Sequence, residues 1–459
     1  MEEHVQKVVD PSSGEVVATY PAHSDVAVER ALDAAHEAFR AGRRSSFADR
    51  GRIMRRAALT LRERSEAYAH LMATEMGKVL REGRAEVEKC AWLCDYYAEH
   101  AESFLAPTPV ETDARHSFVA RVPLGTLLAV MPWNFPFWQV FRAAVPALMA
   151  GNTVLLKHAS NVPGCALAIA DVFHAAGLTP GAFASLLIDS GRASALLADA
   201  RVSAVTLTGS TAAGRAIGAK AGEVIKPCVL ELGGSDAYVV LHDADVDAAA
   251  ATCVQSRMIN AGQSCIAAKR FVVVDAVRGQ FEEACVARMR ALRMGAPTDD
   301  SADLGPQARA DLRDELHDQV VRSVAAGARL LLGGAVPEGA GAFYPPTLLT
   351  DVGEGVPAYH EELFGPVASI LPARDEAHAI ALANDTSFGL GAAVFTRDIA
   401  RGTHIATHEL EAGCAFVNTH VRSDPRLPFG GIKGSGFGRE LGQAGIRAFV
   451  NEKTVYVAS

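Results

Sequence analysis

Cys265 closes the segment Asn260-Ala-Gly-Gln-Ser-Cys265, a lone thiol among small residues on a glycine-containing stretch. Small neighbours leave such a thiol open to a carbonyl carbon, and a lowered pKa would make it a nucleophile. Glu231 lies upstream, in Glu231-Leu-Gly-Gly, directly after the apolar pair Val229-Leu230. A carboxylate at the end of a buried strand is costly unless it faces a cleft or has a raised pKa, and there it can activate a water. Asn134, in Pro132-Trp-Asn-Phe-Pro136, is a neutral amide donor whose direction the flanking prolines would fix. Nucleophile, base and oxyanion donor are the parts that acyl chemistry requires. Taken singly, each has a plainer reading: a structural thiol, an ion-paired strand-end carboxylate, a packed aromatic turn.

Elements must bring these groups together. Residues 26–39, 52–76 and 81–105 carry apolar positions at three-to-four spacing and predict helices. From residue 126 the pattern changes. Short apolar runs at 126–131, 153–156, 184–188 and 204–207 alternate with Ala-rich helical stretches. A second series follows Glu231, at 237–241, 270–274, 367–371, 392–395 and 414–417. The alternation predicts parallel α/β sheets. Residues 334–343 are Gly-rich and predict an exposed loop, and 454–457 is β-prone. The expected architecture is two α/β lobes with a cleft between them, where groups from both lobes meet.

The chain has 459 residues, too many for one ordinary core, and its 49% hydrophobic and 21% charged content suits a large globular enzyme. A net charge of −9 with scattered basic residues argues against nucleic acid; the pairs Arg43-Arg44 and Arg55-Arg56 read as solvated faces. The opening Met-Glu-Glu-His lacks the basic start and apolar run of a signal peptide, and the apolar runs are too short to span a bilayer. Eight cysteines without a CxxC pair suggest reduced thiols in a cytoplasm. Cys90 and Cys94, one helical turn apart, read as buried small hydrophobes. His404 and His408 lack a glutamate or cysteine set to complete a metal site, so no metal is expected.

The segments around Cys265, Glu231 and Asn134 resemble the aldehyde dehydrogenase superfamily, and the likeness runs through nearly the whole chain. It implies a Rossmann-like cofactor domain (1–104 and 124–231), a catalytic domain (232–435) and a small β oligomerisation arm (105–123 and 436–459). It also implies a homodimer or homotetramer. By resemblance, Cys265 attacks the aldehyde, Asn134 and the Cys265 N–H hold the oxyanion, and Glu231 deprotonates the deacylating water. Thr208-Gly-Ser-Thr-Ala-Ala-Gly214 resembles the family's cofactor turn, although alone it reads as a helix cap. The likeness puts Gly209 and Ser210 near the pyrophosphate, Thr208 near the nicotinamide and Lys157 on the adenosine ribose. Trp133 and Leu232 join the cofactor set. Glu361-Glu-Leu-Phe-Gly-Pro366 resembles a second grip, with Glu362 on the nicotinamide ribose and Phe364 beside the ring. Pro428-Phe-Gly-Gly-Ile-Lys-Gly-Ser-Gly-Phe-Gly-Arg-Glu440 matches as a glycine-rich stretch suited to close packing.

Within the superfamily the chain looks like the succinate-semialdehyde dehydrogenase branch. There Arg142 matches an arginine that binds the substrate carboxylate, with Trp138 and Ser423 beside the substrate. A second arginine found in some branch members is replaced by Ile259, and Arg257 is out of register. NAD-preferring relatives carry a glutamate where this chain has Ser160, so NADP or NAD is expected as cofactor, with NADP favoured. Ser160 is also placed to cap a helix starting near Val162. A CoA-acylating or broad-specificity aldehyde dehydrogenase is the alternative function, which Glu231 disfavours, and a non-enzymatic protein on the same scaffold is a remote one.

Overall fold

The computed structural model describes residues 5–458, and two parallel-rich sheets dominate it. The first has six strands in the order Gly436–Phe437, Cys228–Glu231, Val202–Thr208, Thr126–Met131, Thr153–His158 and Phe183–Ser185. All neighbours pair in parallel except Gly436–Phe437, which is antiparallel to Cys228–Glu231. The second has seven strands, ordered Arg329–Leu332, Thr347–Thr350, Val367–Ala373, Ala268–Val274, Asp236–Val240, Gly391–Phe395 and Cys414–Val417. Its one antiparallel pair joins Arg329–Leu332 to Thr347–Thr350. Leu127, Leu128, Ala129, Val239 and Val272 are all buried, as strands covered on both faces require.

A third, antiparallel sheet joins Val450–Val457, His116–Pro123 and Thr108–Pro109. Residues 436–449, which the sequence groups with this arm, belong elsewhere. Gly436–Phe437 lies in the first sheet, and the Tyr97 hydroxyl of helix Leu80–Leu105 donates to the carbonyl of Gly442, at the start of helix Gly442–Arg447. The stretch 52–76 is two helices rather than one, Phe47–Glu63 and Ser65–Met76, separated at Arg64. An N-terminal hairpin of Val5–Val9 and Val16–Pro21 adds a small sheet that the sequence pattern does not announce. Residues 334–343 are irregular, as expected of a loop. Cys90 and Cys94 are fully buried in the main core. Among the described residues no helix is long and apolar enough to cross a membrane.

Three of the helices that follow strands of the first sheet differ in how their N-termini are treated. Helix Trp138–Ala150 has no cap of its own; the Glu86 carboxylate accepts from the backbone N–H of Phe137 and of Trp138, both at 2.9 Å. Helix Pro163–Ala175 also lacks a side-chain cap, and Glu75 accepts from Gly164 N at 2.7 Å and Cys165 N at 2.9 Å. Its N-cap residue is Val162, so Ser160 does not cap it. Helix Thr211–Glu223 has the Ser210 hydroxyl on Ala213 N at 3.3 Å and no buried carboxylate. Among the three, this is the N-terminus left open to an external anion.

Candidate active site

The segment before Cys265 is strained and clamped. Helix Val246–Met258 ends in a tight turn, Ile259–Gly262, where Asn260 and Ala261 take left-handed φ of 56° and 50°. Non-glycine residues hold that conformation only where the surroundings enforce it. Glu82 accepts from Asn260 N at 3.0 Å, and the Asn260 amide donates to the carbonyl of Asn134 at 2.7 Å. Gly262 is also left-handed, and a Cβ there would run into the Gly365 carbonyl. Arg257, fully buried, donates to the carbonyls of Gly262, Leu363 and Gly365. It therefore ties the cysteine segment to the Glu362–Phe364 loop.

The Asn134 turn is held from three sides. Lys78 donates to the Asn134 carbonyl at 3.0 Å and pairs with the buried Glu86. His158, at the end of its strand, accepts from Ala159 N through Nδ1 and donates from Nε2 to the Pro136 carbonyl at 2.9 Å. Burial pushes the His158 pKa down to about 4, which keeps it neutral for that pairing. The Asn134 amide spends one N–H on the Gln263 carbonyl at 3.1 Å and keeps the other free.

Two cavities meet at the cysteine. The first, of about 360 Å³, is lined by Trp133, Asn134, Thr208, Gly209, Ser210, Leu232, Glu362 and Phe364. The second, of about 370 Å³, is lined by Trp138, Arg142, Ser423, Phe135, Phe429 and Lys89, among others. Cys265 and Gln139 line both. In the first cavity Trp133 and Phe364 stand edge to face with centroids 5.8 Å apart, and Ser210 marks the open helix N-terminus. Glu362 accepts from Gly234 N at 3.0 Å and lies 3.4 Å from Lys269, which donates to the Cys265 carbonyl at 2.8 Å. Lys157 is half-buried at a strand end, its pKa lowered by burial, and Ser160 is exposed just beyond; neither lines either cavity.

Glu231 ends its strand 2% exposed, and neither carboxylate oxygen has a hydrogen-bond partner. Burial first, then the like charge of Glu440, raises its pKa well above the ordinary range. A Cβ on Gly430 would come within 2.5 Å of Glu231 Oε1, so the glycine-rich stretch packs directly on this carboxylate. Cys265 is half-buried, and desolvation pushes its thiol up to about 12, although Arg142 and Lys269 pull the other way. The expectation of a lowered pKa is therefore not met. Removing water from the thiolate outweighs the two nearby cations.

Arg142 is also held from within the protein. It lines the second cavity, but its guanidinium pairs with buried Glu440, donates to the Thr208 hydroxyl at 3.2 Å and sits 4.8 Å from the Phe429 ring centroid. Its charge already has an internal partner. Sequence reasoning missed Lys89, Gln139, Lys269 and the role of Glu440. Only Glu440 had a signal, as the last residue of the glycine-rich stretch.

Residues 1–455 match the profile of the aldehyde dehydrogenase family. Over 450 residues, 98% of this chain and 99% of the relative, the sequence is 51% identical to a probable NADP(+) succinate-semialdehyde dehydrogenase of Synechocystis sp.. Over 448 residues, 98% of this chain and 97% of the relative, it is 48% identical to the NAD(P)+ succinate semialdehyde dehydrogenase Sad of Escherichia coli. A solved succinic semialdehyde dehydrogenase from Streptococcus pyogenes, in complex with NADP+, superposes with a TM-score of 0.97 at 36% identity, covering 99% of this chain and 100% of that one.

Proposed function

The chain belongs to the aldehyde dehydrogenase family, and on that premise we propose that it oxidises succinate semialdehyde to succinate with NADP through a thioester on Cys265. The observation that carries this reading is the shared wall: Cys265 faces two separate cavities, one fit for a dinucleotide and one for an aldehyde. The first cavity fits the cofactor because it combines an open helix N-terminus at Ser210 with an aromatic pair. Gly209 and Ser210 hold the pyrophosphate. Thr208, Leu232, Trp133, Glu362 and Phe364 surround the nicotinamide end, and Lys157 takes the adenosine ribose. A neutral Ser160 leaves a 2′-phosphate without a repelling carboxylate. Bound NADP+ supplies the hydride acceptor.

The chain's own residues do the rest. Cys265 loses its proton and its sulfur bonds to the aldehyde carbon. The developing oxyanion takes the free Asn134 N–H and the Cys265 backbone N–H. Loss of hydride from that carbon leaves the thioester. Glu231 then removes a proton from water, which adds to the acyl carbon and expels the Cys265 thiolate. In sum, aldehyde, NADP+ and water give carboxylic acid, NADPH and one proton.

We assign residues 1–104 and 124–231 to cofactor binding and 232–435 to catalysis, with the acyl chain in the second cavity beside Trp138, Ser423 and Arg142. The antiparallel arm is the proposed contact of a homodimer or homotetramer, and eight free cysteines fit a cytoplasmic enzyme. The test follows NADPH formation from succinate semialdehyde with and without CoA. CoA-independent turnover that is lost in Cys265→Ala is expected. Turnover that requires CoA would move the chain to the acylating class.

A further inference from the structure

Gln139 stands at the start of helix Trp138–Ala150 and, with Cys265, lines both cavities. It is 2% exposed, and its side-chain oxygen is buried without a hydrogen-bond partner among the described residues. A buried amide oxygen without a donor is costly, so its position calls for a group that brings one. The helix start fixes where the amide can reach: Gln139 N donates to the Phe135 carbonyl at 3.0 Å, and Glu86 holds Trp138 N. One turn on, Arg142 donates to the Thr208 hydroxyl, and Thr208 is the register partner of Glu231. Thr208 and Leu232, the residue after Glu231, line the first cavity together with Gln139. The Gln139 side chain therefore stands beside the thiol and toward the strand ends that carry Glu231.

Gln139 Oε1, Asn134 Oδ1 and both oxygens of Glu231 are buried acceptors without a donor among the described residues. Asn134 is committed, with one N–H on the Gln263 carbonyl and the other left for the oxyanion. Glu231 and Gln139 remain. A water molecule brings two O–H donors and attacks through a lone pair. One hydrogen bond to Glu231 would leave it free to turn about that bond. A second, to Gln139, fixes both hydrogens and turns a lone pair toward the acyl carbon. An amide accepts without taking the proton, so the base is still Glu231. It also adds no charge beside a carboxylate that already feels Glu440.

We propose that Gln139 is a catalytic residue of deacylation: its amide oxygen accepts one hydrogen of the attacking water while Glu231 takes the other as a proton. The water oxygen bonds to the acyl carbon, the carbon–sulfur bond breaks, and the Cys265 thiolate leaves with that electron pair. The hydrogen held by Gln139 stays on oxygen and departs with the carboxylic acid. This rests on the proposed thioester mechanism and adds a second holder for its water.

The test follows NADPH by stopped-flow absorbance, with succinate semialdehyde and NADP+, in the unaltered enzyme, Gln139→Met and Gln139→Asn. Gln139→Met keeps the length of the side chain and removes the acceptor. Gln139→Asn keeps the acceptor and draws it back by one carbon. In both, the steady-state rate per active site should fall roughly ten- to hundredfold, the cost of a misplaced reacting group, while the burst rate constant stays within about threefold. Burst amplitude counts the active sites, so a loss of folded enzyme does not imitate this split. Equal loss in both phases makes Gln139 structural and overturns the role. A steady-state rate within about threefold of the unaltered enzyme overturns it too, as does a change confined to KM for NADP+, which places the amide on the nicotinamide instead. An unaltered enzyme that forms no NADPH without CoA overturns the proposed activity, and this role with it.

Discussion

Burial raises the pKa of two acids at the site. With its thiol near 12, Cys265 gains thiolate about tenfold for each pH unit below that value. Alkylation of Cys265 by iodoacetamide in the cofactor-free enzyme should therefore climb about tenfold per unit from pH 7 to 9. A plateau below pH 8 would mean that a cation stabilises the thiolate at rest. Glu231, also raised, gains its base form only as pH rises, so deacylation should accelerate in the same direction. Glu231→Gln should show a burst of NADPH followed by slow turnover, read by stopped-flow absorbance; equal loss in both phases would give Glu231 another role. Ser160→Glu should lower the NADP over NAD preference by about one to three orders of magnitude, measured as kcat/KM for each cofactor. The sequence made Cys265, Glu231 and Asn134 legible because each stands in a short, chemically dense segment. Lys89 and Gln139 stand in ordinary helical surroundings, and their meaning comes from strands and loops far away in the chain.

Helix Leu80–Leu105 shows why elements were easier to read than their jobs. Its apolar periodicity marks it as a helix, and residues 81–105 were legible to within a residue. Nothing in that periodicity says that Glu86 closes the N-terminus of another helix or that Glu82 holds the turn before the cysteine. Glu86 and Lys78 form a buried pair, their side chains 2% and 0% exposed. Glu86→Gln keeps the shape but leaves Lys78 without its counter-charge. The loss of folding stability should reach about 3–5 kcal/mol, the range for breaking a buried pair, as read from urea unfolding midpoints. An unchanged midpoint would show that the pair is dispensable. Most strands of both sheets were legible because continuous apolar runs bury both faces; the four-residue Thr347–Thr350, although buried, was not. The short edge strand Arg329–Leu332 was not, since its burial is partial and its length is four residues.

At the scale of the whole molecule, the arm is the least enclosed sheet. Val450–Val457 is largely exposed, with Tyr456 at 52% and Val457 at 44%. Apolar side chains presented on an antiparallel edge argue for cover by a second copy. Removing residues 450–459 should convert the oligomer into a smaller species, seen by size-exclusion chromatography with light scattering. A full-length protein that is already monomeric would remove the arm's proposed purpose. The arm expected from the resemblance included residues 436–449, of which Gly436–Phe437 pairs in the first sheet; a two-residue strand carries no periodicity long enough to detect.

The wall that Cys265 shares also bears on how this protein could be blocked. A compound filling one cavity competes with one ligand and can be outrun by its concentration. A slender compound that threads past the thiol, with a flat ring beside Trp133 and Phe364 and an acidic tail at the far end of the other chamber, would occupy both at once. Linking the halves makes the second contact intramolecular, at an effective concentration in the millimolar range for a short tether. Its potency would then exceed that of either half alone, and neither natural ligand by itself could displace it.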